Sequence, residues 1–194
     1  SSERLQGLSA ARQRNVLRRA VRLRGLPSLP STRAYQIINE MLPARPDAQP
    51  LVTWEGACVR RYRDHLFVLP PSPSVDDPAE LLRPGHAAIS LGSGLGSLQL
   101  SAGADMGIDP GVAANGLTIR FRDGGETIRV DGRGPTRKLK KLLQEEGIVP
   151  WMRGALPLLF AGEKLVAVAD IWVDADHLAS SGLRVIWTDP PALK

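Results

Sequence analysis

Apolar positions recur at helical spacing in two stretches near the start of the chain and switch to alternation at Leu51. Over residues 10–24, Val16, Leu17, Ala20 and Val21 make a stripe with a period near 3.6. Ser9 stands where a cap belongs and Gly25 suits the position beyond the last turn, which predicts a helix whose other face is arginine. A second helix is predicted from Ser31, read as its N-cap. Ala34, Ile37, Ile38, Met41 and Leu42 fall at i, i+3, i+4, i+7 and i+8, and Pro43 ends it. Between Leu51 and Leu69 short β-type runs are separated by Glu55-Gly56 and Arg63-Asp64, the pattern of a small meander.

Residues 1–69 are therefore predicted to form a small helical domain closed by a meander. Residues 70–85 carry Pro70, Pro71, Pro73, Pro78 and Pro84 with Asp76, Asp77 and Glu80, a composition that stays extended and reads as a linker. Residues 86–194 form the second domain, of α+β type. Strands are predicted at His86–Leu91, Ser97–Ser101, Leu117–Arg122 and Glu126–Val130, the last two joined as a hairpin by Asp123-Gly124-Gly125. Thr136 is expected to cap a helix running to about Glu146 and stopped by Gly147, with strands following at Leu158–Phe160, Lys164–Ala169 and Leu183–Trp187. No element is assigned over 102–116.

Composition narrows the class. The 194 residues are 43% hydrophobic, enough for a buried core in one or two domains, and no run reaches the roughly 20 apolar residues of a membrane span. The opening Ser1-Ser2-Glu3-Arg4 lacks the apolar segment of a signal peptide, so a cytoplasmic location without a membrane partner is expected. Cys58 is the only cysteine, and His65, His86 and His177 lack metal-ligand spacing, which argues against a disulfide or a zinc site. The net charge of +5 is unevenly spread. Residues 1–68 hold twelve arginines, no lysine and five acids, a balance of +7, while the remainder sums to −2. Arginine suits bidentate contact with phosphate, so a polyanion partner is expected.

Two glycine clusters invite comparison with phosphate loops. Gly92-Ser93-Gly94-Leu95-Gly96 is followed by strand-like alternation at Leu98 and Leu100, and Gly132-Arg133-Gly134 lacks the Walker spacing, so neither predicts nucleotide binding. The basic segment Arg129–Lys141 carries more information. In a helix starting after Thr136, Leu139, Leu142 and Leu143 are buried, while Arg137, Lys140, Lys141 and Gln144 share the exposed face, with Lys138 beside them. Cations at a helix N-terminus typically cost up to about 1 kcal/mol each, a cost that a docked phosphate reverses. Arg14, Arg18 and Arg22, spaced i, i+4 and i+8 with Arg12 and Arg19 alongside, repel one another in the same way. On a strand through Val59-Arg60-Arg61-Tyr62-Arg63, Arg60 and Tyr62 face one side and Arg61 and Arg63 the other, and one of those pairs is expected to be structural.

Arg60-Arg61-Tyr62-Arg63-Asp64 after Trp54-Glu55-Gly56 resembles the end of the substrate-binding domain of the tRNA-isoleucine lysidine synthetase family, TilS. A second block is similar to that family's C-terminal domain: Gly132-Arg133, Arg137-Lys138-Leu139-Lys140-Lys141-Leu142-Leu143-Gln144-Glu145, Val149-Pro150-Trp151-Met152-Arg153 and Pro157-Leu158-Leu159-Phe160. The resemblance implies an ATP-dependent ligase that joins lysine to C2 of the wobble cytidine of an isoleucine tRNA with a CAU anticodon, turning AUG decoding into AUA decoding. It places ATP, Mg and the Ser-Gly-Gly-x-Asp-Ser pyrophosphate loop in a catalytic domain with no counterpart in this sequence, and leaves this chain without a catalytic residue. It implies that the helical domain meets the tRNA body and the C-terminal domain the acceptor stem. The latter is expected to be a three-layer unit with an unusual β-sandwich, akin to a domain of phenylalanyl-tRNA synthetase. Matched to the family, Arg133, Arg137, Lys138, Lys140, Lys141 and Arg153 are candidate tRNA contacts, joined by Arg14, Arg18, Arg22, Arg60, Arg61 and Arg63. Trp151 is expected to pack beneath the basic helix.

A rival reading makes the chain an interaction module. In it, Leu158–Phe160 and Lys164–Val173 supply a homodimer surface and the basic helix is incidental.

Overall fold

A computed structural model describes residues 1–45, 48–71, 75, 78, 80–92 and 94–193 and divides the chain into two units, Ser1–Ser72 and Pro73–Lys194. The first helix, α1 (Ser2–Gln6), has no periodicity to announce it and forms through a distant carboxylate. Asp64 accepts from the Ser1 and Ser2 hydroxyls, each at 2.5 Å, and from the Glu3 amide at 3.0 Å. Those hydrogen bonds hold its carboxyl well below the usual range. Helix α2 (Ala10–Leu23) follows, with Gly25 left-handed at φ +65° just beyond its end. Its buried stripe is Gln13, Leu17 and Val21, whereas Val16, expected in the core, is exposed. The physical reason lies at Gln13, whose amide donates to the carbonyls of Leu5 and Gln6 at 3.1 and 3.3 Å and so closes the end of α1.

Helix α3 (Ser31–Gln36) continues as a π-helical turn, Ile37–Met41, with the Leu42 amide reaching the Ile37 carbonyl. Pro30, not Ser31, occupies the cap position, and the Ser31 hydroxyl instead accepts from Arg18 at 3.1 Å. Three antiparallel strands then form the expected meander: β1 (Leu51–Trp54), β2 (Ala57–Tyr62) and β3 (His65–Leu69). Leu5, Leu17, Val21, Ala34, Ile37, Met41, Val52 and Val59 join helices and sheet in one core.

The second unit is built from strands of 2 to 12 residues, all paired antiparallel. In chain order they are β4 (Leu81–Leu82), β5 (Ile89–Ser90), β6 (Ser97–Ile108), β7 (Leu117–Arg120), β8 (Thr127–Ile128), β9 (Arg137–Lys138), β10 (Leu158–Ala161), β11 (Lys164–Val168), β12 (Trp172–Val173) and β13 (Leu178–Thr188). They make a sheet of order β12-β11-β10-β7-β4, a second of order β13-β6-β5, and the ribbon β8-β9. Helix α4 (Pro110–Ala113) follows β6, and α5 (Leu139–Glu145) follows β9 with Leu139, Leu142 and Leu143 buried as expected. Across the described residues the protein is thus α+β, helices with several antiparallel sheets.

Four expectations change. Residues 72–74, 76, 77 and 79 of the linker stretch lie outside the described residues, but Leu81 and Leu82 are a strand of the larger sheet, with Leu82 buried against Leu117. The unassigned stretch 102–116 extends β6 to Ile108 before α4 begins, because β13 pairs with β6 over most of its length. The hairpin predicted around Asp123-Gly124-Gly125 does not form: β7 pairs with β10 and β4, and β8 with β9. Finally, the apolar strands proposed as a dimer surface are interior, with Leu158, Leu159, Val166, Ala167 and Val168 almost wholly buried within the unit. Phe160, Ile171, Trp172 and Val173 in the same stretches are half-buried.

Where the pairing of β6 and β13 shifts register, Gly107 and Gly182 lie close together. A Cβ on Gly182 would stand 2.5 Å from the Gly107 carbonyl carbon, and one on Gly107 would stand 2.5 Å from the Leu183 carbonyl oxygen. Gly182→Ala is therefore expected to destabilise the second unit by about 1–3 kcal/mol in urea unfolding. An unchanged midpoint would show that the strands part without penalty. In the first unit Arg61 donates through Nη1 to the carbonyls of Met41, Leu42 and Ala44 at 3.1, 2.8 and 2.7 Å. Arg61→Ala leaves those helix-end carbonyls without this donor and is expected to lower stability by about 2 kcal/mol, with partial recovery in Arg61→Lys.

Candidate nucleic-acid interface

In the second unit the basic segment is carried on a ribbon and a short helix. The chain enters through Arg122, whose Nε donates to Glu126 Oε2 at 3.1 Å, while Glu126 Oε1 takes the amides of Asp123 and Gly124. Burial pushes the Glu126 carboxyl up, yet the amides of Gly124, Glu126 and Asp123 and the Arg122 guanidinium outweigh it and hold the group below its ordinary value. This ring of bonds replaces the predicted hairpin turn. The ribbon itself is pinned to the rest of the unit by Asp174, a buried carboxylate that accepts from the Arg129 and Asp176 amides. The Arg129 carbonyl accepts from the Ala175 amide, and its guanidinium pairs with Asp176.

Beyond the ribbon the geometry departs from the sequence reading. Thr136 does not cap the helix. Arg137 and Lys138 belong to β9, Lys138 takes the cap position with an extended backbone, and α5 begins at Leu139, whose amide donates to the Glu126 carbonyl. The helix is seven residues long, so only Lys140 and Lys141 of the expected cations lie in its first turn. Arg137 is further neutralised by Glu145, its Nη2 being 2.6 Å from the carboxylate. Arg133, Lys138, Lys140 and Lys141 remain exposed along one short stretch. Arg153 lies on the 3-10 turn Pro150–Ala155, half-buried, with its Nε donating to the Ile148 carbonyl.

Elsewhere in this unit a cleft of about 570 Å³ is lined by Glu126, Glu163, Asp174 and Asp176 together with Lys164 and His177. Its carboxylates make it a poor seat for phosphate. Arg120 pairs there with Glu163, at 2.9 Å, and lies over the Phe160 ring. Neither glycine cluster fits a nucleotide triphosphate: the described part of 92–96 leads into β6 and Gly132–Gly134 into β9, and neither feeds a helix N-terminus. Ser93 lies outside the described residues. Among the described residues no group of three or more acidic, histidine or cysteine side chains is placed to hold a metal, and no helix is long and apolar enough to cross a membrane.

In the first unit the candidate arginines separate. Arg14, Arg18 and Arg22 are exposed on α2, as the sequence placed them. Arg61 is engaged by three carbonyls, which makes it the structural member of the β2 set. Arg63 is not on the strand but in the turn after it, at φ +54°, with its guanidinium 5.2 Å above the Tyr62 ring. Arg60 is half-buried beside Cys58, whose thiol burial pushes upward against the pull of that guanidinium. The sequence also underweighted Arg19. Together with Asn15, Arg18, Arg22 and Ser28 it lines a groove of about 770 Å³ between α2 and the loop at Gly25–Leu29, which Arg14 does not line. The spacing Asn15, Arg18, Arg19, Arg22, at i, i+3, i+4 and i+7, is the signal that marks it.

Two family models match the chain: the TilS substrate binding domain over residues 1–67 and the TilS substrate C-terminal domain over residues 117–187. Curated relatives agree. The chain is 36% identical over 193 residues to a tRNA(Ile)-lysidine synthase of Ralstonia nicotianae, covering 94% of this chain and 42% of that protein. It is 35% identical over 189 residues to the one of Nitrosomonas europaea, covering 94% and 41%, and 32% identical over 182 residues to the one of Shigella flexneri, covering 93% and 41%. The chain thus spans about two fifths of the length of these relatives. Carrying the substrate binding domain and the substrate C-terminal domain in that order, it belongs to the tRNA(Ile)-lysidine synthase family.

Proposed function

We propose that this chain is the tRNA-holding part of a cytoplasmic tRNA(Ile)-lysidine synthase. The whole protein would be an ATP-dependent ligase that joins lysine to C2 of the wobble cytidine of the isoleucine tRNA with a CAU anticodon. ATP, Mg and lysine would be bound by the part of the relatives' length that this chain does not cover. The first unit would meet the tRNA body and the second, with a sandwich-like arrangement of its antiparallel sheets, the acceptor stem.

One observation carries the reading for these residues. Arg133 in the loop between β8 and β9, Lys138 on β9, and Lys140 and Lys141 on α5 are each exposed, on a segment anchored by a buried carboxylate, in a part of the sequence whose overall balance is negative. Such concentration against the local balance fits phosphate contact along an RNA backbone, which positions a nucleic acid without reading its bases. Arg14, Arg18 and Arg22 add a second basic face. Arg61 acts through the fold rather than on RNA, and Arg137 enters the interface only by exchanging Glu145 for phosphate.

Fluorescence anisotropy of the purified chain with the CAU isoleucine tRNA and with elongator methionine tRNA, each over a salt series, tests this. Binding is expected to weaken steeply with salt. Lys138→Ala with Lys141→Ala, and separately Arg18→Ala with Arg22→Ala, are each expected to reduce affinity about tenfold and to lower the salt slope by about 1 for each phosphate that is no longer neutralised. Absence of binding to either tRNA at low salt refutes the reading.

A further inference from the structure

The groove beside α2 differs in kind from the other basic surfaces. Asn15, Arg18, Arg19 and Arg22 form one wall, the loop Gly25–Leu29 forms the other, and Val21, Leu26 and Leu29 lie at its base. No acidic residue lines it, so the three guanidiniums repel one another with no carboxylate in the groove to offset them. The Ser31 hydroxyl, 3.1 Å from Arg18 Nη2, orients one of them. Gly25 is left-handed and has open space where a Cβ would stand, so the rim is unobstructed there.

The size is informative. The groove, about 770 Å³ and half open to solvent, is far larger than one phosphate group and leaves room for a nucleotide to lie against its walls. An A-form duplex presents a convex backbone and would touch only the rim. A nucleotide splayed out of a loop or bulge would enter, and such unpaired nucleotides are the usual targets of specific RNA recognition. Its phosphate would meet the arginines. Its base would pack against the apolar side chain of Leu26. The Asn15 amide offers both a donor and an acceptor, and Ser28 a hydroxyl, for a base edge or a 2′-hydroxyl.

We propose that this groove seats one unpaired nucleotide of the bound RNA, with Arg18, Arg19 and Arg22 on its phosphate and Leu26 and Asn15 on its base. The proposal rests on the tRNA-holding function proposed above and adds to it a site that distinguishes an unpaired nucleotide from a duplex backbone.

Nitrogen-labelled chain titrated separately with AMP, CMP and inorganic phosphate, and followed by two-dimensional NMR, tests it. The monophosphates are expected to shift the amides of Gly25 and Leu26 and the Nε resonance of Arg19, and to bind about tenfold more tightly than inorganic phosphate. Arg19→Ala should weaken the monophosphates several-fold while leaving resonances of the second unit in place, and Asn15→Ala should narrow the difference between AMP and CMP. Both side chains are exposed, so loss of fold is not expected, and the spectrum itself reports it. Equal affinity for monophosphate and phosphate, or shifts confined to other surfaces, overturns the proposal. If tRNA still binds in that case, the groove assignment alone falls. Nucleotide binding in a chain that does not bind tRNA upholds the groove and removes the tRNA reading.

Discussion

Short helices cannot close their own ends, and in the first unit side chains from elsewhere in the fold must supply the missing partners. Asp64 takes the start of α1, Gln13 its end, and Arg61 gathers three carbonyls where the π-helical turn runs out. Gln6 adds a bond to the Leu42 carbonyl from the opposite direction, at 2.7 Å. Each closure ties helix to helix or helix to meander, so termini and core are fixed by the same contacts. A five-residue helix such as α1 has no independent stability in water, and these partners are what keep it formed.

The same constraint sorts the cations. A guanidinium spent on carbonyls, as in Arg61, or on a carboxylate, as in Arg122, Arg129 and Arg137, holds the fold together and offers little to a phosphate. Exposed cations such as Arg14, Arg22, Lys140 and Lys141 remain as the chain's outward charge. Asp174 does for the second unit what Arg61 does for the first, since it fixes the ribbon from which that charge is displayed. Pre-positioned charge loses less freedom on binding than charge on a loose loop, which is why a buried carboxylate can matter to an interface it never touches.

Sequence patterning revealed the parts of the fold that depend on local order. The helix over 10–24, the meander over 51–69 and the buried leucines of α5 follow from periodicity and turn residues alone. The errors arise where a side chain or a strand partner overrides the local signal. Asp123-Gly124-Gly125 has the composition of a hairpin turn, but Glu126 captures its amides and frees β8 to pair with residues 137–138. Thr136 looks like a cap, yet the strand partner extends the backbone past it. Gln13 sits in a core stripe that hydrophobicity assigned to Val16, because two carbonyls of α1 needed its amide. Among the candidate tRNA-binding residues, residue type and exposure were legible. What each guanidinium already holds was not, because the acceptors lie 5 to 20 residues away in the chain.

Charge alone therefore ranks these surfaces poorly, and shape ranks them better. The ribbon and α5 present their lysines to solvent, suited to a backbone that passes by. On α2 three arginines and a returning loop line an open groove. Cations on an open surface gain from counterion release in proportion to the phosphates they meet, with little regard to RNA structure. Cations inside a groove can act only on what enters it, so their contribution depends on whether a nucleotide is free of its helix. If the chain holds RNA as proposed, its two units would do so by different physical means: the exposed lysines of the second by contact with backbone phosphates, and the arginines of the first at an unpaired nucleotide.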